Sequence, residues 1–214
     1  MPAVIVVGGH RCGTSSIAGA IERLGVPTAL PGDSIGPSPS NPRGHFEDAT
    51  LCRLHQRLLG PAGWRDPRPV SVVPLQWQTL YDAHLARRAA AAHRFGIKDP
   101  RLCFLLPVLL GRLRMQTIDV HIVSVTRATN AVAESLRRRQ RMSVESALRI
   151  AWLYDGARRA QVARLLFEGI PVLELQYERA LDDRAAAVTH LAEFIGVAPT
   201  PAAIEFLDPA LRHL

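Results

Sequence analysis

Apolar residues along this chain recur in two alternating spacings. Val4-Ile5-Val6-Val7 is short, β-branched and uninterrupted, the pattern of a strand buried on both faces of a parallel sheet. From Thr14 to Leu24 the apolar positions Ile17, Ala18, Ala20, Ile21 and Leu24 fall at helical spacing, and Gly25 stands where a left-handed C-terminal residue is expected. The same logic predicts a helix from Phe46 to Leu59, with Leu51, Leu54, Leu58 and Leu59 on one face, and another from about Leu75 to Arg94. Phe95-Gly96-Ile97 makes a short strand terminating at Lys98, and Pro100 is placed to begin the helix that follows. Val120 to Val125 is the clearest interior strand; helices are expected at Asn130 to Arg141 and Val144 to Phe167. Pro171 to Leu175 is the last strand, and a helix from about Asp183 to Ile195 precedes a short C-terminal tail. Such alternation predicts an α/β fold of three layers, αβα, with a central parallel sheet and ligands gathered beyond the carboxyl ends of its strands.

Length and composition narrow this picture. With 214 residues and 48% hydrophobic content, the expectation is one domain spanning 1–214. Two Pro- and Gly-rich stretches, 27–45 and 61–74, are too long for ordinary connectors and are expected to wall a binding site. The formal charge is +7, but arginines cluster only modestly, as in Arg137-Arg138-Arg139 with Arg141, and no aromatics interleave them. Nucleic acid is therefore not the expected partner. The longest apolar run, Leu102 to Leu110, is too short to cross a bilayer and contains Pro107. Without a charged leader before the first strand, and with three cysteines, Cys12, Cys52 and Cys103, that form neither a metal spacing nor an even disulfide set, the expected compartment is the cytoplasm.

The first strand runs into Gly8-Gly9-His10-Arg11-Cys12-Gly13-Thr14-Ser15, a phosphate loop with threonine where a nucleotide triphosphatase has its lysine. Glycines let backbone amides converge on an anion, and the amides of Gly13 to Ser16 would lie at a helix N-terminus. The nearest cation is Arg11, so a shorter phosphate-bearing group fits better than a triphosphate. A cysteine phosphatase loop needs an arginine six positions after its thiol, where this chain has Ala18. Cys12 itself, at a helix start, is expected to have a lowered pKa. Of the 26 basic residues only Lys98 is lysine, which reads either as an accident of an arginine-rich composition or as a position that requires a compact charge on a flexible stem.

Four polar groups fall at strand ends: the loop at 8–16, Lys98-Asp99-Pro100-Arg101, Thr126-Arg127, and Gln176-Tyr177-Glu178. Together with Asn41-Pro42-Arg43-Gly44-His45-Phe46-Glu47-Asp48, this set resembles the sulfotransferases that use 3′-phosphoadenosine 5′-phosphosulfate (PAPS), over roughly 4–196. The resemblance implies their P-loop-like fold and a 5′-phosphosulfate loop at Arg11, Cys12, Gly13, Thr14, Ser15 and Ser16. It also implies a 3′-phosphate site at Arg127 and Ser135, eight residues apart, and a product, 3′-phosphoadenosine 5′-phosphate (PAP), with no metal required. Cys12 replaces the family's usual serine, and a late Arg-Lys-Gly element is missing, which makes Arg137 to Arg139 candidates to complete the 3′ clamp.

By the same resemblance Glu47 is the first choice for the base, and His45, whose ordinary pKa suits the task, is the runner-up. Lys98 would reach the bridging or sulfuryl oxygens. Asp99, Tyr177 and Glu178 are expected to be structural. The acceptor would be a hydroxyl of a small molecule, sugar or lipid, with Trp64 and Trp77 as candidate apolar walls. Two other readings stay open from the residues: a small-molecule kinase with a modified loop, and a non-catalytic nucleotide-binding module.

Overall fold

The computed structural model describes residues 2–39, 41–61, 63–67, 70 and 73–210. Four parallel strands, β1 (Pro2–Val7), β2 (Phe95–Lys98), β3 (Asp119–Thr126) and β4 (Val172–Gln176), form one sheet in the order β2-β1-β3-β4. The apolar run of β1 is uninterrupted because both sheet faces are covered: Ala3, Ile5 and Val7 enter one core, Val4 and Val6 the other. On the first face lie α2 (Ala49–Leu59), α3 (Leu75–Ala91), α4 (Leu102–Met115), α5 (Thr129–Gln140) and α6 (Val144–Phe167). Over the second lie α1 (Thr14–Arg23), α7 (Tyr177–Asp182), α8 (Arg184–Ile195) and α9 (Pro201–Phe206). The fold is the expected αβα sandwich.

Because the chain leaves β1 for one neighbour, β2, and later returns to the other, β3, the direction of winding reverses beside β1. A crevice opens at such a point outside the carboxyl ends. The register aligns Val6 with Lys98 and Val7 with Ser124, so the segments after β1, β2 and β3 emerge side by side.

Several boundaries differ from expectation for identifiable reasons. The second helix starts at Ala49 rather than Phe46, because Phe46 has a positive φ of 55° and Asp48 is the cap, its side chain accepting from Leu51 N at 3.0 Å. α3 ends at Ala91, before Arg94. Pro100 sits in a turn before α4 rather than at its first position. The expected tail contains α9, a Thr200-capped turn with Pro201 at its start, which packs on α1. There Gly19 is required: a Cβ would lie 2.1 Å from the Phe206 ring.

Candidate active site

The loop between β1 and α1 is built by close approach. A Cβ on Gly8 would stand 2.8 Å from the Val125 carbonyl oxygen, and Gly13 (φ 86°) would put one 2.2 Å from the Tyr177 ring. Gly13 is the N-cap of α1 and supplies no side chain, so the first amides of the helix face the crevice with their partial positive charge. Arg11 is itself left-handed at φ 66°, which turns its guanidinium so that Nε donates to Ser135 Oγ at 2.8 Å. Arg127, at the end of β3, donates from Nη1 to the Arg11 carbonyl at 3.0 Å and lies over the Tyr177 ring at 5.4 Å. Arg127 and Ser135 thus converge, as expected, and they do so through Arg11.

Across the loop, Lys98 is buried with its three ammonium protons matched: to Glu47 Oε1 at 2.5 Å, Ser15 Oγ at 3.1 Å and the His45 carbonyl at 3.3 Å. Asn41 Nδ2 also donates to Ser15 Oγ, at 3.0 Å. The second oxygen of Glu47 accepts from Cys52 Sγ at 3.3 Å. His45 places its ring against Ser38 Oγ at 3.0 Å, and burial lowers its pKa.

Arg11, Ser15, Asn41, His45, Glu47, Lys98 and Arg127 line one cavity of about 320 Å³, together with His10, Gly13, Thr14, Ser16, Trp64, Arg101, Arg139 and Tyr177, whereas Ser135 is buried and reaches it through Arg11. Among the described residues its lining holds five arginine and lysine side chains, Arg11, Lys98, Arg101, Arg127 and Arg139, against the one carboxylate of Glu47. Burial, with Arg139 and Arg127 adding repulsion, lowers the Arg11 pKa to about 10, which leaves it charged at neutral pH. Such a site favours a polyanion.

Of the arginine triplet only Arg139 faces the cavity. Arg137 and Arg138 share Glu134 at 2.8 and 3.3 Å, the helical i+3 and i+4 pairings that the sequence already contained. The expectation for Cys12 is corrected: burial pushes its thiol up to about 12, so its place before a helix does not make a thiolate. Trp64 lines the cavity and packs on His10 with ring centroids 4.7 Å apart. Trp77 instead packs against the core beneath Arg57. Of the second expected wall, positions 62, 68, 69, 71 and 72 lie outside the described residues. Tyr177 is more than a sheet-edge support, since it lines the cavity and meets Ser16 Oγ at 3.4 Å.

Sequence reasoning missed the residues that hold the long loop in place. Arg88, 1% exposed, donates to Asp48, to the carbonyls of Pro27 and Thr28, and to Gly96 of β2. His84 Nε2 completes the Asp48 carboxylate at 2.7 Å. Arg43 ties the loop's far end to the Phe206 carbonyl and to Asp208. Nothing local marks an arginine in a helix as such an anchor. Asp99 is structural as expected: burial raises its pKa, but His55 and Arg101 outweigh burial and hold it well below the usual carboxylate range. Among the described residues, two groups of metal-ligating side chains occur, Asp33 with Asp48 and His84, and Glu47 with Cys52 and Asp99. Arg88 sits on the first, and Lys98 and Arg101 on the second.

No protein-family model matches the chain, and no curated protein matches it in sequence. Solved structures do resemble it. The sulfotransferase domain of a Synechococcus olefin synthase shares 18% identity, with 99% of this chain and 86% of that one covered and a TM-score of 0.59. For the sulfotransferase domain from the curacin biosynthetic pathway the values are 14%, 95%, 77% and 0.56. For a sulfotransferase from Mycobacterium avium they are 14%, 99%, 68% and 0.53. The chain has the sulfotransferase fold. Among the described residues, no helix is long and apolar enough to cross a membrane.

Proposed function

We propose that this protein transfers a sulfuryl group from PAPS to an acceptor hydroxyl and releases PAP. The observation that carries this reading is the meeting of Lys98, Glu47 and Ser15 at the rim of an anion-binding loop whose other side is Arg11, Ser135 and Arg127. The amides after Gly13, with Arg11, Thr14, Ser15 and Ser16, hold the 5′-phosphosulfate. Arg127 and Ser135, with Arg139 nearby, take the 3′-phosphate, and the ribose that carries both groups spans the two sites.

Transfer then needs little covalent help from the protein. The acceptor oxygen forms a bond to sulfur as the sulfur–oxygen bond to the 5′-phosphate breaks, and the acceptor proton passes to Glu47. Negative charge grows on the former bridging oxygen, where Lys98 supplies positive charge and the helix amides supply donors. Because Lys98 and Glu47 neutralise each other beforehand, the incoming phosphosulfate draws Lys98 toward itself and leaves Glu47 able to accept the proton. Donor and base are coupled through one lysine.

PAP is expected to bind at least about tenfold more tightly than AMP, since hydrogen bonds to charged groups contribute about 1.5 to 3 kcal/mol. Calorimetric titration of both nucleotides into wild type and Arg127→Ala tests the donor. Equal affinities in the wild type would remove it. Transfer of label from PAPS to an acceptor separates an enzyme from a module that only binds nucleotide.

A further inference from the structure

The donor leaves one cation of the cavity without a task. Arg101 follows β2 and folds back on its own strand end: its backbone N donates to Asp99 Oδ1 at 2.9 Å and its Nη1 to Asp99 Oδ2 at 2.6 Å. Asp99 in turn is fixed, being 1% exposed and bonded to His55 Nδ1 at 2.7 Å, while His55 Nε2 meets the Tyr81 hydroxyl. A buried chain from Tyr81 through His55 and Asp99 therefore holds the guanidinium by one corner. The Cys52 side chain, beside Asp99, is a second hydrogen-bond partner of the guanidinium. The side chain lines the cavity and is 16% exposed. A guanidinium fixed by Asp99 and Cys52 that still lines the cavity is suited to the two oxygens of a planar anion.

Its place in the sheet decides which ligand meets it. β2 is an edge strand, separated by β1 from β3, so Arg101 and Arg127 stand on opposite sides of the anion-binding loop. The donor's phosphates occupy the β3 side, with Arg11, Ser135 and Arg127. Arg101 shares the β2 side with Glu47, and one oxygen of Glu47 lies within 4.8 Å of one of Asp99. An acceptor that gives its proton to Glu47 reaches Arg101 within a few bonds, and Trp64 offers an apolar wall to the atoms between.

We infer that Arg101 binds a carboxylate of the acceptor, and that the acceptor is a hydroxy acid rather than a neutral alcohol or sugar. This rests on the donor assignment, because that assignment defines which side of the cavity remains. A cavity wall that carries a fixed guanidinium discriminates against the neutral analogue, which brings no anionic oxygens to it.

The test titrates the PAP-loaded protein with a panel of aliphatic and aromatic hydroxy acids, each paired with its methyl ester. The wild type is expected to bind at least one acid about tenfold or more above its ester, and Arg101→Gln to reduce that acid to the level of the ester while PAP affinity stays within about threefold. Arg101→Lys keeps a cation for Asp99 and is expected to unfold at the wild-type temperature yet to recover only part of the preference, since an ammonium lacks the fork. A panel in which no acid exceeds its ester overturns the proposal, as does a preference that survives in Arg101→Gln. If the wild type fails to bind PAP, the donor assignment falls by itself. The same pairs are then titrated into the nucleotide-free protein, and the same two outcomes decide.

Discussion

Glu47 and Lys98 are each other's counter-ion, so substitution of either changes the other, and the direction of each effect can be stated. Glu47→Gln keeps the shape of the side chain but not its ability to take a proton, so PAP binding is expected to persist while turnover falls by on the order of 10² or more. Single-turnover rates at saturating PAPS measure this. If Glu47→Gln stays near wild type and His45→Ala collapses, the base is His45. Lys98→Arg and Lys98→Ala are both expected to bind PAP within about tenfold of wild type and to lose about 10² or more in the chemical step, as removal of one positioned donor does. A planar guanidinium does not reproduce three bonds to Glu47, Ser15 and the His45 carbonyl. Wild-type rates in Lys98→Ala would return the single lysine to an accident of composition.

Elements far apart in the chain support this pair. Helix α9 places Phe206 against Gly19 of α1 and edge-on to Phe46, with ring centroids 5.4 Å apart, and the Phe206 carbonyl holds Arg43. Phe46 sits between His45 and Glu47, so a six-residue helix near the end of the chain fixes the backbone that carries the proposed base. Phe206→Ala is expected to cost about 3 kcal/mol by denaturant titration. It is also expected to lower turnover with little change in PAP affinity, since Arg11, Arg127 and Ser135 are carried by the first loop, the end of β3 and α5 rather than by the 43–47 segment. Unchanged turnover in a destabilised Phe206→Ala would show that the 43–47 segment holds its position without α9. Thr200 and Pro201 mark the helix in the sequence, a cap followed by proline at the first position, but its brevity hid it among loop residues.

Across the whole molecule, burial of titratable groups sets the acid response. His10 is moved by burial, and next by Arg101, from 6.5 to about 3, so the unfolded chain takes up that proton first and stability falls as pH drops below about 6.5. His45 and His121, both lowered mainly by burial, act in the same direction. Asp48 and Asp99 have folded values below the ordinary carboxylate range despite burial, owing to His84, Leu51 N and Arg88 for the first and to His55 and Arg101 for the second. The stability they contribute is present above about pH 4 and is lost as pH falls through the folded values. Thermal unfolding followed by circular dichroism from about pH 8 to about pH 3 is expected to show a decline in two stages, the first below about 6.5 and a steeper one below about 4. A flat profile between about pH 7 and 5 would contradict a buried neutral His10.

Local information determined much of this protein. A short unbroken apolar run or a 3.6-residue period is written in neighbouring side chains, which is why the strands and most helices were legible. A loop that brings amides onto an anion needs glycine at particular positions, which is why 8–15 and its missing lysine could be read directly. The solitary Lys98 was legible for a similar reason, as an exception to composition. Tertiary packing decided what depends on distance through space. Glu47 meets Lys98 across 51 residues, and Arg11 meets Ser135 across 124. Burial raised the pKa of Cys12 where its place at a helix start was expected to lower it, because a helix start lowers a pKa only where desolvation does not outweigh it. The packed core also assigned the arginines, which are chemically identical in the sequence: Arg88 to a buried anchor, Arg139 to the cavity, Arg137 and Arg138 to solvent, and Arg101 to a fixed carboxylate at the cavity wall.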